Sequence, residues 1–294
     1  MRNIPESIVK AGHPDFSVLD QIAGFVLERT GGKTSLEERL PALIRDAVDF
    51  VLDPIRTGRT RLADLDNVEK TFIGLKVEHF IRDMLDVPKG LRDLVIDGMD
   101  VDVKNTTRDT WMIPPEIYRS EEPCIVVAFD EQDQRCWMGV LLARDAYLNS
   151  PNQDKKRSVK KSAFKNILWL VEEAPYPKGH WDGLDMRRFR DLREIDGGTK
   201  RAAQFFRENI RRPVHRSVIQ ALLFDQRDYM KRLRGNQGAR DILRTEGIAL
   251  LSGFYDKAAL RALKAPHTGD DEMIAISPRD RAELDYLKQT KLID

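Results

Sequence analysis

Two nearly unbroken apolar runs constrain this chain more than any other feature: Cys124-Ile-Val-Val-Ala-Phe129 and Cys136-Trp-Met-Gly-Val-Leu-Leu142. They lack the alternation of a strand with one wet face, so they read as central strands covered on both sides. The polar turn Glu131-Gln-Asp-Gln-Arg135 separates them. Helical periodicity before and after supplies the cover. The expected fold class is therefore α/β (α+β), a four-stranded mixed sheet flanked by helices.

Three helices are expected ahead of the sheet. The first spans Ser17 to Arg29, with Val18, Ile22, Phe25 and Val26 at helical spacing, and stops at Gly31-Gly32. The second starts at Ser35, which pairs with Glu38 as a capping box, and runs to Pro54. The third spans Asn67 to Leu85, its apolar stripe formed by Ile73, Val77, Phe80, Ile81 and Met84. Glu78 sits at the border of that stripe, placed either to reach over the sheet or to pair with Arg82 one turn on. After the third helix, Trp111-Met-Ile-Pro-Pro-Glu116 reads as a rigid extended loop. The basic run from Lys155 leads into an amphipathic helix ending near Leu170.

Between the third helix and the apolar runs lies Asp93-Leu-Val-Ile-Asp-Gly-Met-Asp-Val-Asp-Val-Lys104. Asp97-Gly98 suits a two-residue type I′ turn, which makes Ile96 face Met99 and sets Asp93 opposite Asp102. Period-two alternation groups Asp100, Asp102 and Lys104 on one face, against Met99, Val101 and Val103 on the other. Carboxylates beside an ammonium group suit Mg²⁺, which takes hard oxygen ligands together with phosphate oxygens and water. On spacing alone, Asp100 is as eligible as Asp102. A second Asp-x-Lys triplet, Asp154-Lys-Lys156, lies in a basic stretch without strand pattern and is set aside. The basic turn Arg56-Thr-Gly-Arg59 reads as a loop or a phosphate contact near the carboxylates. The five histidines show no metal-ligand spacing, and there is no Gly-rich phosphate loop.

A net charge of +1 over 294 residues conceals a local excess. Six basic residues and no acid lie between Lys155 and Lys165, and sixteen Lys or Arg face seven Asp or Glu between Arg187 and Arg244. Such stretches attract a phosphate backbone or form a solvated face. No apolar run approaches a bilayer's thickness, and the N-terminus lacks a signal-peptide pattern, so a cytoplasmic protein without membrane contact is expected. Cys124 and Cys136 fall in adjacent expected strands and read as buried small hydrophobes.

Pro175, Pro177, Gly179 and Gly183 interrupt periodicity, making 175–198 the expected linker between domains at 1–174 and 199–294. The second domain reads as helices over Lys200–Glu208, Val214–Leu223, Gln226–Arg234 and Ala239–Thr245, followed by a strand at Ile248–Ser252. Helices on either side of the Gly235–Gly238 turn, then a strand, give a helix-turn-helix with a wing. Arg240 and Arg244 would point outward from its second helix, Ile242 and Leu243 inward. The bland alternative is a helical pair with ordinary exposed arginines.

Four stretches of this chain carry a family resemblance. Glu69-Lys-Thr-x-x-Gly-x-x-Val-Glu78, Val101-Asp-x-Lys104, Trp111-Met-x-Pro-Pro-Glu116 and Met230-Lys-Arg-x-Arg-Gly-x-x-Gly-Ala-Arg-x-Ile-Leu-Arg-x-Glu-Gly247 resemble NaeI-type (type IIE) restriction endonucleases. The matches keep one order from about residue 56 to residue 253. The resemblance implies a PD-(D/E)xK-type nuclease core, with Glu78, Asp93 and Asp102 as catalytic metal ligands and Lys104 as the catalytic lysine. It also implies a C-terminal winged helix-turn-helix domain, whose DNA-binding candidates are Arg232, Arg234, Asn236, Gln237, Arg240 and Arg244.

The expectation is thus a Mg²⁺-dependent type II restriction endonuclease, part of a restriction-modification system. It would act as a homodimer on both strands of a palindromic, GC-rich double-stranded DNA site, a second DNA copy serving as activator. Competing readings are a repair endonuclease that nicks at mismatches and a DNA-binding regulator without catalysis.

Overall fold

The helix α1 (Phe16–Thr30) ends because Gly31 and Gly32 adopt φ angles of 83° and 98°, and their N–H groups donate to the Glu28 and Leu27 carbonyls. This reversal is so tight that α2 (Lys33–Leu52) begins ahead of Ser35, with Gly32 at its N-cap. The Ser35–Glu38 capping box expected from the sequence is therefore not formed. In the computed structural model, which describes residues 4–294, the chain divides into two units. One comprises the residues up to Asp53 with Arg61–Gly179; the other comprises Pro54–Thr60 with His180–Asp294.

The helix α3 (Pro54–Thr57) belongs to the second unit. Arg190 there donates to the carbonyls of Ile55 at 2.9 Å and Arg56 at 3.2 Å. The basic turn Arg56–Arg59 thus belongs to the second unit.

Back in the first unit, α4 (Asn67–Leu85) has the bounds its periodicity dictates. Asp66 accepts from the Glu69 N–H at 2.8 Å and Glu69 accepts from the Asp66 N–H at 2.9 Å, a capping box that fixes the start. The chain continues through β1 (Leu94–Ile96), β2 (Met99–Thr106), β3 (Met112–Ile113), α5 (Pro115–Tyr118), β4 (Pro123–Asp130), β5 (Arg135–Leu142), β6 (Leu148–Pro151), β7 (Arg157–Val159) and β8 (Leu168–Pro175).

The main sheet has five strands in the order β1-β2-β4-β5-β8. It is mixed: β2 and β4 run parallel and the other neighbours antiparallel. The fifth strand corrects the sequence reading, which placed an amphipathic helix ending near Leu170. A short apolar run fits a strand as well as a helix turn. Here Trp169, Leu170 and Val171 are buried in a strand paired with β5, and a 3₁₀ turn over Lys161–Asn166 separates it from β7.

Each face of the sheet has its own cover. The helices α1, α2 and α4 pack on Val101, Val103, Ile125 and Val127. A small sheet ordered β3-β7-β6 covers Cys124, Val126 and Ala128 with Ile113, Leu148, Val159 and Phe164. Trp111, expected in an extended loop, is fully buried in this second layer and donates Nε1–H to the Val127 carbonyl at 2.7 Å. Cys124 and Cys136 are free and buried on opposite faces, Cys124 pairing with Leu141 and Cys136 with Phe129.

The second unit contains α6 (Met186–Arg193), α7 (Gly198–Glu208), β9 (Val214–His215), α8 (Arg216–Leu222), α9 (Ala239–Thr245), β10 (Ala249–Ser252), α10 (Lys257–Ala262), β11 (Glu272–Ile276) and α11 (Arg281–Gln289). Its antiparallel sheet is ordered β10-β11-β9. Part of the stretch read as a linker is folded here: α6 is capped by Asp185 and buries Met186, Phe189 and Leu192 with Phe205 and Phe206. The segment Gln226–Arg234, expected as a helix, holds only a 3₁₀ turn at Met230–Arg232. The helix preceding α9 is therefore α8. Among the described residues no helix is long and apolar enough to cross a membrane.

Candidate active site

The β1–β2 hairpin sets the site. Asp97 and Gly98 take φ angles of 47° and 79°, both positive as a type I′ turn needs. The register that follows pairs Ile96 with Met99 and Leu94 with Val101, which leaves Asp93 beside Asp102. Asp93 Oδ2 accepts the Val103 N–H at 2.7 Å. Lys104 Nζ donates to Asp102 Oδ1 at 2.6 Å.

The parallel register with β4 aligns Asp102 with Cys124 and Lys104 with Val126, so both project towards the small-sheet side. Glu78 approaches from α4, which packs against β2 from the other side. Asp93, preceding the edge strand, is close enough for its charge to raise the carboxyls of both Glu78 and Asp102. The structure thus brings Glu78, Asp93, Asp102 and Lys104 together. Asp100 instead braces the backbone ahead of β1. Its Oδ1 accepts the Leu91 N–H at 2.7 Å, and a Cβ on Gly90 would come within 2.1 Å of that oxygen.

The electrostatics are those of crowded carboxylates. Burial and the adjacent Asp93 push the Glu78 carboxyl up to about 7. Burial raises Asp102 to about 6, against the pull of Lys104. Burial also works against the Lys104 charge, but Asp102 more than offsets it and leaves the ammonium above its ordinary range. Asp102 Oδ2 is buried with no hydrogen-bond donor.

A buried acceptor left open beside two more carboxylates fits a hard cation. Among the described residues no three His, Cys, Asp or Glu side chains stand close enough together to hold a metal ion. Mg²⁺ does not need three, since it keeps waters and phosphate oxygens alongside one or two carboxylates. The donor set therefore fits.

The sequence reading missed the support for Asp93. Arg92 donates Nε to Glu122 Oε2 at 2.6 Å and Nη2 to Glu122 Oε1 at 2.9 Å, and Nη2 also reaches the Glu116 carbonyl at 2.9 Å. An Arg directly before a candidate ligand was the only signal for this clamp.

Comparison with known proteins decides the family. The family model described as restriction endonuclease NaeI matches residues 35–283, from α2 into α11. This chain belongs to the NaeI restriction endonuclease family. It is 30% identical over 260 residues to the type II restriction enzyme NaeI of Lentzea aerocolonigenes, covering 84% of this chain and 80% of that relative.

In this NaeI-family chain the remaining candidates lie around α9. Arg232, Arg234, Asn236 and Gln237 are exposed in the segment before it, Asn236 and Gln237 with φ angles of 65° and 71°. A Cβ on Gly238 would strike the Arg234 carbonyl oxygen at 1.9 Å, so glycine is required there. Arg232 donates to Gln226 at 2.6 Å. Arg240 and Arg244 lie on α9 and face carboxylates, Asp256 at 3.3 Å and Asp294 at 2.7 Å. Leu243 points inward and Ile242 partly so.

Proposed function

We propose that this chain is a Mg²⁺-dependent type II restriction endonuclease that hydrolyses both strands of a palindromic, GC-rich DNA site in the cytoplasm. One observation carries the catalytic reading: Glu78 on α4, Asp93 just ahead of β1 and Asp102 on β2 influence one another's charge, with Lys104 held on Asp102 at 2.6 Å. This is the residue set of a PD-(D/E)xK core, on the mixed sheet such a core uses. Asp93 and Asp102, with Glu78 behind them, would hold the ion. A bound Mg²⁺ polarises the scissile phosphate and lowers the pKa of a water.

The chain's own groups supply the rest. Asp102 keeps the Lys104 ammonium protonated, so that a fixed positive charge stands where the phosphate gains negative charge. Val103 and Arg92 hold the Asp93 segment in place without adding a charge of their own to the reacting centre.

The second unit supports a winged helix-turn-helix reading, since α8 and α9 are followed by the β10–β11 pair. Arg232, Arg234, Asn236, Gln237, Arg240 and Arg244 are its DNA-binding candidates. A second DNA copy bound there would activate cleavage, a coupling between two sites that must be reciprocal. A homodimer would match its two-fold axis to the palindrome.

The test is digestion of a sequenced plasmid with Mg²⁺, followed by mapping of the ends. Paired cuts at one palindrome are expected. Nicks confined to mismatched duplex would indicate a repair enzyme instead, and binding without cleavage in any divalent ion a regulator.

A further inference from the structure

The basic stretch set aside in the sequence, around Asp154-Lys-Lys156, forms the turn of the β6–β7 hairpin. Its backbone is fixed. Asn152 N–H donates to the Lys156 carbonyl at 2.8 Å, Lys156 N–H to Asn152 Oδ1 at 2.9 Å, and Lys155 N–H to the Asn152 carbonyl at 3.0 Å. Asn152 is consumed by the turn, whereas Gln153, Asp154, Lys155 and Lys156 are exposed around it.

The base of the hairpin is anchored as well. Arg157 pairs with Asp145, donates to the Asn149 carbonyl at 2.6 Å, and lies over the Tyr118 ring. Tyr118 Oη donates to the Lys155 carbonyl at 3.1 Å. Tyr118 closes α5, whose Glu116 carbonyl accepts Arg92, the residue before Asp93. A continuous chain of contacts thus links the turn to the segment carrying a candidate metal ligand. The hairpin also belongs to the layer covering the sheet face towards which Asp102 and Lys104 project.

The turn projects beyond the three-stranded sheet β3-β7-β6, and Gln and Lys side chains are suited to the edges of adenine and guanine in the major groove. A rigid turn loses little conformational entropy on insertion. We infer that the Asn152–Lys156 turn enters the major groove at the cleaved site, where Gln153, Lys155 and Lys156 read base edges. This rests on the nuclease reading above. It assigns base recognition at the cut site to the first unit, separately from the candidates around α9.

The experiment uses the full-length chain. End mapping with the wild type defines the cleaved sequence. Gln153→Ala, Lys155→Ala and Lys156→Ala are then compared for kcat/KM on that duplex and on duplexes with one altered base pair, over a range of salt. All three side chains are exposed, and circular dichroism verifies the fold. We expect cleavage of the mapped site to fall about 10-fold or more in at least two variants, with discrimination against altered sites narrowed. Unchanged rates and discrimination overturn the inference. A uniform loss with a shallower salt dependence and intact discrimination also overturns it, because that pattern marks phosphate contact alone. A wild type that cuts no duplex overturns the nuclease reading and this inference with it, whereas a cutting wild type with indifferent variants overturns only the hairpin.

Discussion

Asp93 stands across the hairpin from Asp102 and accepts the Val103 backbone N–H at 2.7 Å, so one carboxylate holds the strand and, under the proposed function, also serves the site. The two duties separate by substitution. Asp93→Asn keeps an acceptor for Val103 but removes the charge, so cleavage should be lost while the melting temperature stays near the wild type. Asp93→Ala also abandons a part-buried donor, at a cost of about 1–3 kcal/mol. Equal melting temperatures for the two variants would count against the structural half of this assignment.

Lys104 brings a positive charge into the cluster, with Nζ 2.6 Å from Asp102 Oδ1. Lys104→Ala should lower plasmid cleavage by roughly 10²-fold or more, the scale of losing one fixed charge stabiliser. Circular dichroism should remain that of the wild type. Retained cleavage in Mg²⁺ would remove Lys104 from the reaction.

The hairpin that sets Asp93 beside Asp102 was legible because local chemistry enforced it, whereas the choice of Asp102 over Asp100, and of Glu78, came from the family resemblance. Asp97-Gly98 permits one tight turn, and that turn dictates the register which sets Asp93 beside Asp102. The apolar stripe from Ile73 to Met84 gave the bounds of α4 and so the position of Glu78, while the capping box at Asp66 and Glu69 emerged only in the structure. Where two local signals competed, the reading failed. Ser35–Glu38 imitates a capping box, but the left-handed glycines before it start the helix earlier. Leu168–Val171 reads as a helix end until β5 offers it a partner, a long-range contact that periodicity does not contain. The Arg92–Glu122 clamp spans thirty positions and was invisible for the same reason.

Three crowded carboxylates and the open Asp102 Oδ2 imply that a divalent ion stabilises the fold. Ligand binding to the native state raises stability by mass action. Mg²⁺ or Ca²⁺ should therefore raise the melting temperature, and a chelator should reverse the rise. Asp102→Asn should shrink the shift and weaken the binding measured by titration calorimetry. The same shift in the variant and the wild type would place the ion elsewhere.

Arg45 on α2 is 2% exposed and pairs with Asp49 at 2.8 Å and Glu131 at 2.9 Å, its guanidinium lying over the Tyr176 ring. One buried charge thus ties a helix to the ends of β4 and β8. Arg45→Met should cost about 3–5 kcal/mol, because two carboxylates lose their counter-charge, and Arg45→Met with Asp49→Asn and Glu131→Gln should recover part of it. Burial, against the pull of Arg45, raises the Asp49 carboxyl from 3.8 to about 6. The native state then binds more protons than the unfolded chain between those values. The contribution of Asp49 is therefore fully present below 3.8 and is lost as pH rises through 6. Urea unfolding at pH 4 and pH 7 should accordingly show Asp49→Asn gaining stability relative to the wild type at the higher pH. A difference that does not change with pH would mean that Arg45 holds Asp49 ionised throughout.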